Sequence, residues 1–274
     1  VEVSRVATLP ITEDEVTSMP KWDATQYLKF ADERTQPARD LVARIELEHP
    51  RSIVDLGCGP GNSTATLRRR WPDAEIIGVD SSPEMIEAAR RQHPEGQWVL
   101  ADAGTWTADI PFDLVCSNAA LHWVPHHERL LPHLLGQVRP GGALAVQIPA
   151  HYGSTAHQVI AEVSDDPDWR DLMRKARDAM TRETPEFYYH VLQPLASHLD
   201  LWETEYYHFL DGPGALVEWF RGTGLRPYLQ ALENNLQRRR FEEKLLAGFE
   251  RSYPRQRDGR VLFPFRRLFF VAYR

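Results

Sequence analysis

Short apolar runs alternate with amphipathic stretches through the first half of the chain. That rhythm predicts βαβ units on a mostly parallel sheet. Ser52 to Leu56 reads as a strand, Gly57 to Gly61 as a loop, and Asn62 to Trp71 as a helix with Asn62 or Ser63 near its cap. Glu75 to Asp80 is the next strand. Ser82 then caps a helix with Pro83 in its first turn, where a missing N–H costs nothing. Met85, Ile86, Ala88 and Ala89 give that helix its apolar face. Gln97 to Leu100 and Phe112 to Asn118 follow as strands, then a helix from His126 to Leu135. The pair Gly141-Gly142 turns into a fifth strand, Ala143 to Ile148.

After Pro149 the rhythm changes. Residues 154–182 and 213–251 read as helical, with a further helix from Glu186 to Leu195. His198 to His208 reads as a sixth strand. Val261 to Phe263 and Leu268 to Ala272 form a bulged seventh. The expected fold is α/β: a doubly wound, seven-stranded, mostly parallel, Rossmann-like sheet with helical insertions forming a cap. Residues 1–19 are expected to be a polar extension, 20–149 the ligand-binding core with an N-terminal lid, and 150–274 the rest of the sheet plus the cap. The alternative makes 154–251 a separate helical domain; the late strands argue against it.

A chain of 274 residues can bury a sizeable core. Its net charge of -7 argues against nucleic acid, whose binders carry a basic stripe. Cys58 and Cys116 form no CxxC pair, and the His, Asp and Glu residues show no metal-ligand spacing, so no metal is expected. The chain shows no apolar run of membrane-spanning length and no secretory pattern among its first residues. These features together predict a cytoplasmic protein that binds neither nucleic acid nor a membrane.

The chemistry concentrates in Asp55-Leu56-Gly57-Cys58-Gly59-Pro60-Gly61. A glycine-rich loop alone also serves NAD, FAD and nucleotide sites. Here Asp80 ends the second strand and Asp102 ends the third, and ligands of open α/β sheets bind beyond the strands' carboxyl ends. Three acids would therefore meet at one crevice. A dinucleotide site aims N–H groups at a pyrophosphate, which Asp55 would repel, and Asn62 stands where a third fingerprint glycine belongs. S-adenosylmethionine has no phosphate and is cationic, so acids suit it. Asp55 can meet its ammonium directly or through water. Asp80, followed by Ser81, can accept from both ribose hydroxyls. Asp102 can take the adenine amino group, with the Ala103 N–H on the ring. Asn118 lies beside the sulfonium. Gly57 and Gly59 let the backbone approach the ligand closely.

The runs DLGCGPG, GVDSSPEM, LADAGTW, SNAALHW and LRPGGALAVQIP resemble the successive motifs of class I methyltransferases. The resemblance narrows to the trans-aconitate methyltransferase family. It is carried by Lys21 to Phe30 with Arg34 and Pro37, by Arg70-Trp71-Pro72, by Leu121-His122-Trp123-Val124-Pro125 and by Gly222 to Leu229. It ends with Asp258-Gly259-Arg260 and Arg267 to Ala272. One departure stands near the substrate end: Ala150-His151 where the family has Asp-Asn. The resemblance implies methyl esterification of a small polycarboxylate such as trans-aconitate, with S-adenosylhomocysteine as product.

A carboxylate is already ionised at neutral pH, so the transfer needs orientation and water exclusion rather than a catalytic base. A hydroxyl acceptor on the same fold would need one, with His122 or His151 as candidate. Arg226 is the leading carboxylate anchor, because guanidinium binds carboxylate through two parallel hydrogen bonds. Trp123, His151, Tyr152 and Tyr207 are further acceptor-side candidates. Trp22, Tyr27 and Arg34 are expected on a lid over the methionine end of the cofactor.

Overall fold

The computed structural model describes residues 31–150, 153–180 and 183–274. Helix α1 (Ala31–Arg44) leads into β1 (Ser52–Leu56), α2 (Asn62–Arg70), β2 (Glu75–Asp80), α3 (Pro83–Gln92), β3 (Gln97–Leu100) and β4 (Phe112–Asn118). A 3₁₀ turn (Leu121–Trp123), α4 (His127–Gly136) and β5 (Val138–Pro149) follow. Then come α5 (Thr155–Ser164), α6 (Arg174–Arg177), α7 (Pro185–Leu192), β6 (His198–Leu210), α8 (Pro213–Arg221), α9 (Arg226–Ala231), α10 (Asn235–Ser252) and β7 (Val261–Tyr273).

The seven strands lie in the order β3-β2-β1-β4-β5-β7-β6. β3, β2, β1, β4 and β5 are mutually parallel. β7 runs antiparallel to β5: Gly141 N donates to Arg274 O at 2.7 Å, while Ala150 N donates to Arg266 O at 3.0 Å. Every residue of β1 is buried, as a central parallel strand covered on both faces requires.

The described chain falls into two compact units. The first holds 31–149, 183–203 and 268–274. Residues 183–203 and 268–274 therefore group with the parallel strands. Within this unit Arg70 donates to the carbonyl of Val42, in the last turn of α1, and to that of Ile45 just beyond it. Arg44 donates to Asp200 and lies over the Trp202 ring at 4.3 Å.

The second unit holds 150–182, as far as described, and 204–267. Its core is aromatic: His208, Trp219, Phe220, Phe249, Phe263 and Phe265 make ring contacts with one another. Lys244 pairs with Asp166 over the Trp169 ring.

Several boundaries differ from the sequence reading. Gly61, with φ 99°, caps α2, because the Ser63 hydroxyl is drawn to Asp55 instead of to the helix end. The stretch 154–182 is helical only in α5 and the short α6 among its described residues. The stretch 213–251 splits into three helices. Pro227 lies in the first turn of α9, and Asn234 caps α10 by accepting from the N–H groups of Leu236 and Gln237. β5 begins at Val138, ahead of the glycine pair, and β7 is continuous through Pro264.

Ser82 caps α3 as expected, accepting from Met85 N at 3.3 Å. Ser82→Ala is expected to cost about 1 kcal/mol of unfolding free energy, read as a lower urea midpoint at unchanged slope.

Candidate active site

The site grows from the carboxyl ends of the parallel strands. Asp55 in β1 pairs in register with Gly78 of β2 and Cys116 of β4. Side chains two positions apart share a face, so Asp55, Asp80 and Asn118 lie on one face of the sheet, the last two one step further out. The loop after β1 then turns on Gly57 at φ 72°. The N–H groups of Gly57 and Cys58 both donate to Val79 O, at 2.7 and 3.0 Å.

Asp80 ties the loop to the next helix. Its Oδ2 accepts from Gly59 N at 2.9 Å and its Oδ1 from Ser82 N at 2.8 Å. Enclosure raises its pKa above the usual carboxylate range, against the lowering effect of hydrogen bonds from the backbone of Ser82, Gly59 and Ser81. Ser81 itself is half-buried. Asp102 closes a turn by accepting from Gly104 N at 2.7 Å, and Ala103 is half-buried at its apex.

Asp55 is fully buried. Its Oδ2 accepts from the hydroxyls of Ser63 at 2.7 Å and Thr64 at 2.6 Å. Its Oδ1 has no partner. Burial pushes its pKa up to about 6, against the hydroxyl hydrogen bonds, and the charge of Asp80 adds to the rise. The Oδ1 of Asn118, 8% exposed, is likewise buried without a partner.

Beyond Asn118, Ala119 takes φ 54°, a left-handed conformation uncommon for a residue with a side chain. The Ala120 methyl packs where a Cβ on Gly57 would fall, 2.0 Å away. So the β1–α2 and β4 loops touch at Gly57 and Ala120. A Cβ on Gly59, by contrast, would meet nothing within 4 Å. The loop is closed on one side and open on the other.

A methyltransferase-domain family model matches residues 53–142, the stretch that carries this site. The chain resembles a putative methyltransferase structure from Bacillus halodurans C-125, at a TM-score of 0.57 and 13% identity over 86% of this chain and 98% of that one. It also resembles a phosphoethanolamine N-methyltransferase 2 from Haemonchus contortus, crystallised with phosphomonomethylethanolamine and S-adenosylhomocysteine. That TM-score is 0.58, at 13% identity over 91% of this chain and 57% of that one. These likenesses establish the fold. A trans-aconitate 2-methyltransferase from Azoarcus sp. (strain BH72) is 48% identical over 93% of this chain and 100% of its own length. The chain belongs to the trans-aconitate 2-methyltransferase family.

For this trans-aconitate 2-methyltransferase family member, the structure brings together Asp55, Gly57, Gly59, Asp80, Ser81 and Asn118, with Asp102 and Ala103 on the turn after β3. The acceptor-side candidates belong to both units. Trp123 is half-buried in the first unit, with its ring 5.0 Å from that of the buried His122. Tyr207 is on the exposed edge of the alternating pattern in β6, where it hydrogen-bonds Glu205. Arg226 opens α9, half-buried. Trp22, Tyr27, His151 and Tyr152 lie outside the described residues, as does the side chain of Arg34, whose backbone is in α1.

Sequence reasoning missed Ser63 and Thr64 as the hydroxyl partners of Asp55; the signal was two hydroxyl residues in the first turn after a glycine loop. It also missed the buried amide of Gln147. Among the described residues no His, Cys, Asp or Glu cluster could hold a metal, and no helix is long and apolar enough to cross a membrane.

Proposed function

We propose that this protein transfers a methyl group from S-adenosylmethionine to a carboxylate oxygen of trans-aconitate, giving a methyl ester and S-adenosylhomocysteine. The observation that carries the reading is the Oδ1 of Asp55. A buried acceptor without a donor is costly, and a carboxylate more so than a neutral group. It stands at the base of a loop that is open at Gly59. A cationic, phosphate-free ligand fits that combination, and a pyrophosphate does not.

Each residue then has a role in holding the donor. Asp55 Oδ1 receives the ammonium, directly or through water. Gly57 and Gly59 bring the backbone close. Asp80 is proposed to accept from the ribose hydroxyls beside its backbone N–H bonds, and Ser81 follows it in the chain. Asp102 and the Ala103 N–H read the adenine. Asn118 Oδ1 faces the methionine moiety. Trp22, Tyr27 and Arg34 are the remaining residues proposed for the methionine end. The bound donor supplies an electrophilic methyl: the O–C bond forms as the C–S bond breaks, the electron pair stays on sulfur, and no proton moves.

No residue needs to act as a base, because the acceptor oxygen is already ionised. Arg226 is proposed to hold an acceptor carboxylate on the chemistry of its guanidinium. His151 and Tyr152 remain candidates for the same task, and Trp123 for walling the acceptor. The assignment to the cytoplasm belongs to the same proposal; both cysteines are free and buried.

Incubation with methyl-labelled donor and a panel of small di- and tricarboxylates tests this. Trans-aconitate is expected to be methylated best, with a base-labile labelled product. Label in none of the acids would reject the function. At saturating donor and acceptor, kcat is expected to stay flat through the histidine range. A titration there would instead favour a hydroxyl acceptor with His122 or His151 as base.

A further inference from the structure

Along the sheet, in the order β3-β2-β1-β4-β5, the strand ends carry Asp102, Asp80, Asp55, Asn118 and then Gln147. The first four are the donor's proposed contacts, laid out from adenine to sulfonium. The fifth has no role in that scheme. Gln147 pairs in register with Asn118, so its side chain leaves the same face of the sheet, one strand spacing of about 4.8 Å further on. Its backbone carbonyl accepts from Ala119 N at 2.9 Å, which fixes it against the β4 loop. The side chain is 0% exposed, and neither Oε1 nor Nε2 has a partner.

An amide buried with both its polar atoms unpaired is a standing cost to the fold, and parallel β5 would be better served there by Leu or Val. Such a cost is understandable where a ligand repays it. A carboxylate can only accept, and Nε2 offers two donors. The amide is also neutral. An arginine at the reacting carboxylate would pull charge away from the nucleophilic oxygen, whereas an amide fixes one oxygen and leaves the other free to attack.

Resting on the methyl-transfer reading above, we infer that Gln147 binds the acceptor: its Nε2 donates to the non-reacting oxygen of the carboxylate that receives the methyl group, one strand beyond Asn118. This makes Gln147 a specificity-determining residue for a planar, doubly oxygenated acceptor group.

The experiment uses the full chain, wild type and the variants Gln147→Leu and Gln147→Met, in two calorimetric titrations. The first adds S-adenosylhomocysteine. The second adds trans-aconitate to protein saturated with S-adenosylhomocysteine, so turnover is not required. Both variants are expected to bind S-adenosylhomocysteine within twofold of wild type and to lose about tenfold or more in trans-aconitate affinity, the scale of a hydrogen bond to a charged group. The acceptor kcat/KM should fall in step while the donor KM holds. The thermal midpoint of the unliganded variants should be equal or higher, since an unpaired amide is gone; a merely structural amide would lower it. If Leu prevents folding, the more adaptable Met decides.

Unchanged trans-aconitate affinity overturns the inference, and so does a parallel loss of S-adenosylhomocysteine affinity. If wild type saturated with S-adenosylhomocysteine binds no trans-aconitate, the functional reading falls and takes this inference with it. If wild type binds and methylates it and the variants do the same, only the role of Gln147 falls.

Discussion

Asp55→Asn is expected to make the unliganded protein more stable while weakening its hold on the donor. Asp55 has a folded-state pKa of about 6 against an ordinary 3.8, chiefly through burial. Between those values the folded chain binds more protons than the unfolded one, so this group's contribution to stability falls as pH rises through the window. Above about pH 6 the ionised carboxylate costs on the order of 3 kcal/mol relative to acid conditions. Asn keeps an oxygen for the Ser63 and Thr64 hydroxyls and carries no charge. Near pH 8 the variant should gain about 1–3 kcal/mol in urea unfolding, and near pH 4 the difference should vanish.

Binding should move the other way. An ammonium favours ionised Asp55, so wild-type affinity for S-adenosylhomocysteine should fall by up to about tenfold per pH unit below about pH 6. In Asp55→Asn the affinity should be lower at neutral pH and the slope flatter. Some slope will remain, because the pKa of Asp80 is also raised. A variant that keeps both the full affinity and the full slope would remove Asp55 from the donor site.

The glycine loop gives the second large effect, and it separates folding from binding. Gly57→Ala places a methyl 2.0 Å from the Ala120 Cβ at φ 72°. Left-handed strain and overpacking together should cost about 3 kcal/mol or more, with a thermal midpoint lower by about 6 °C or more. Gly59→Ala has φ 54° and meets nothing within 4 Å, so its cost is strain alone, about 1 kcal/mol. Its methyl occupies the space assigned to the donor. Calorimetry should therefore show Gly59→Ala folded but at least tenfold weaker for S-adenosylhomocysteine, while Gly57→Ala is destabilised. If Gly59→Ala binds as wild type does, the ligand passes elsewhere.

The elements that carry the proposed donor site were legible because their determinants are local. Asp55, Asp80 and Asp102 each follow an apolar run, and a parallel sheet delivers strand ends to one edge whatever the details of packing. Ser82 and Pro83 announced α3 through capping chemistry that acts within one turn. The surroundings of the proposed acceptor residues were not legible. Tyr207 looked like a donor in an aromatic run, yet the alternation of β6 leaves it 53% exposed. Arg226 is a guanidinium whose sequence neighbours say nothing of what it faces. Residues 154–182 carry helical composition, but only α5 and α6 form among those described, because helices this short depend on tertiary burial rather than propensity.

The sequence by itself determined the parallel core, the glycine loop and the line of acids, since strand periodicity and turn chemistry are short-range properties. Tertiary structure alone decided that Ser63 and Thr64 give their hydroxyls to Asp55, that one oxygen of Asp55 is left unpaired, and that Gln147 stands in register with Asn118. Register and burial join residues far apart in the chain. The desolvation that leaves a carboxylate oxygen or an amide buried without a partner exists only once the strands are side by side.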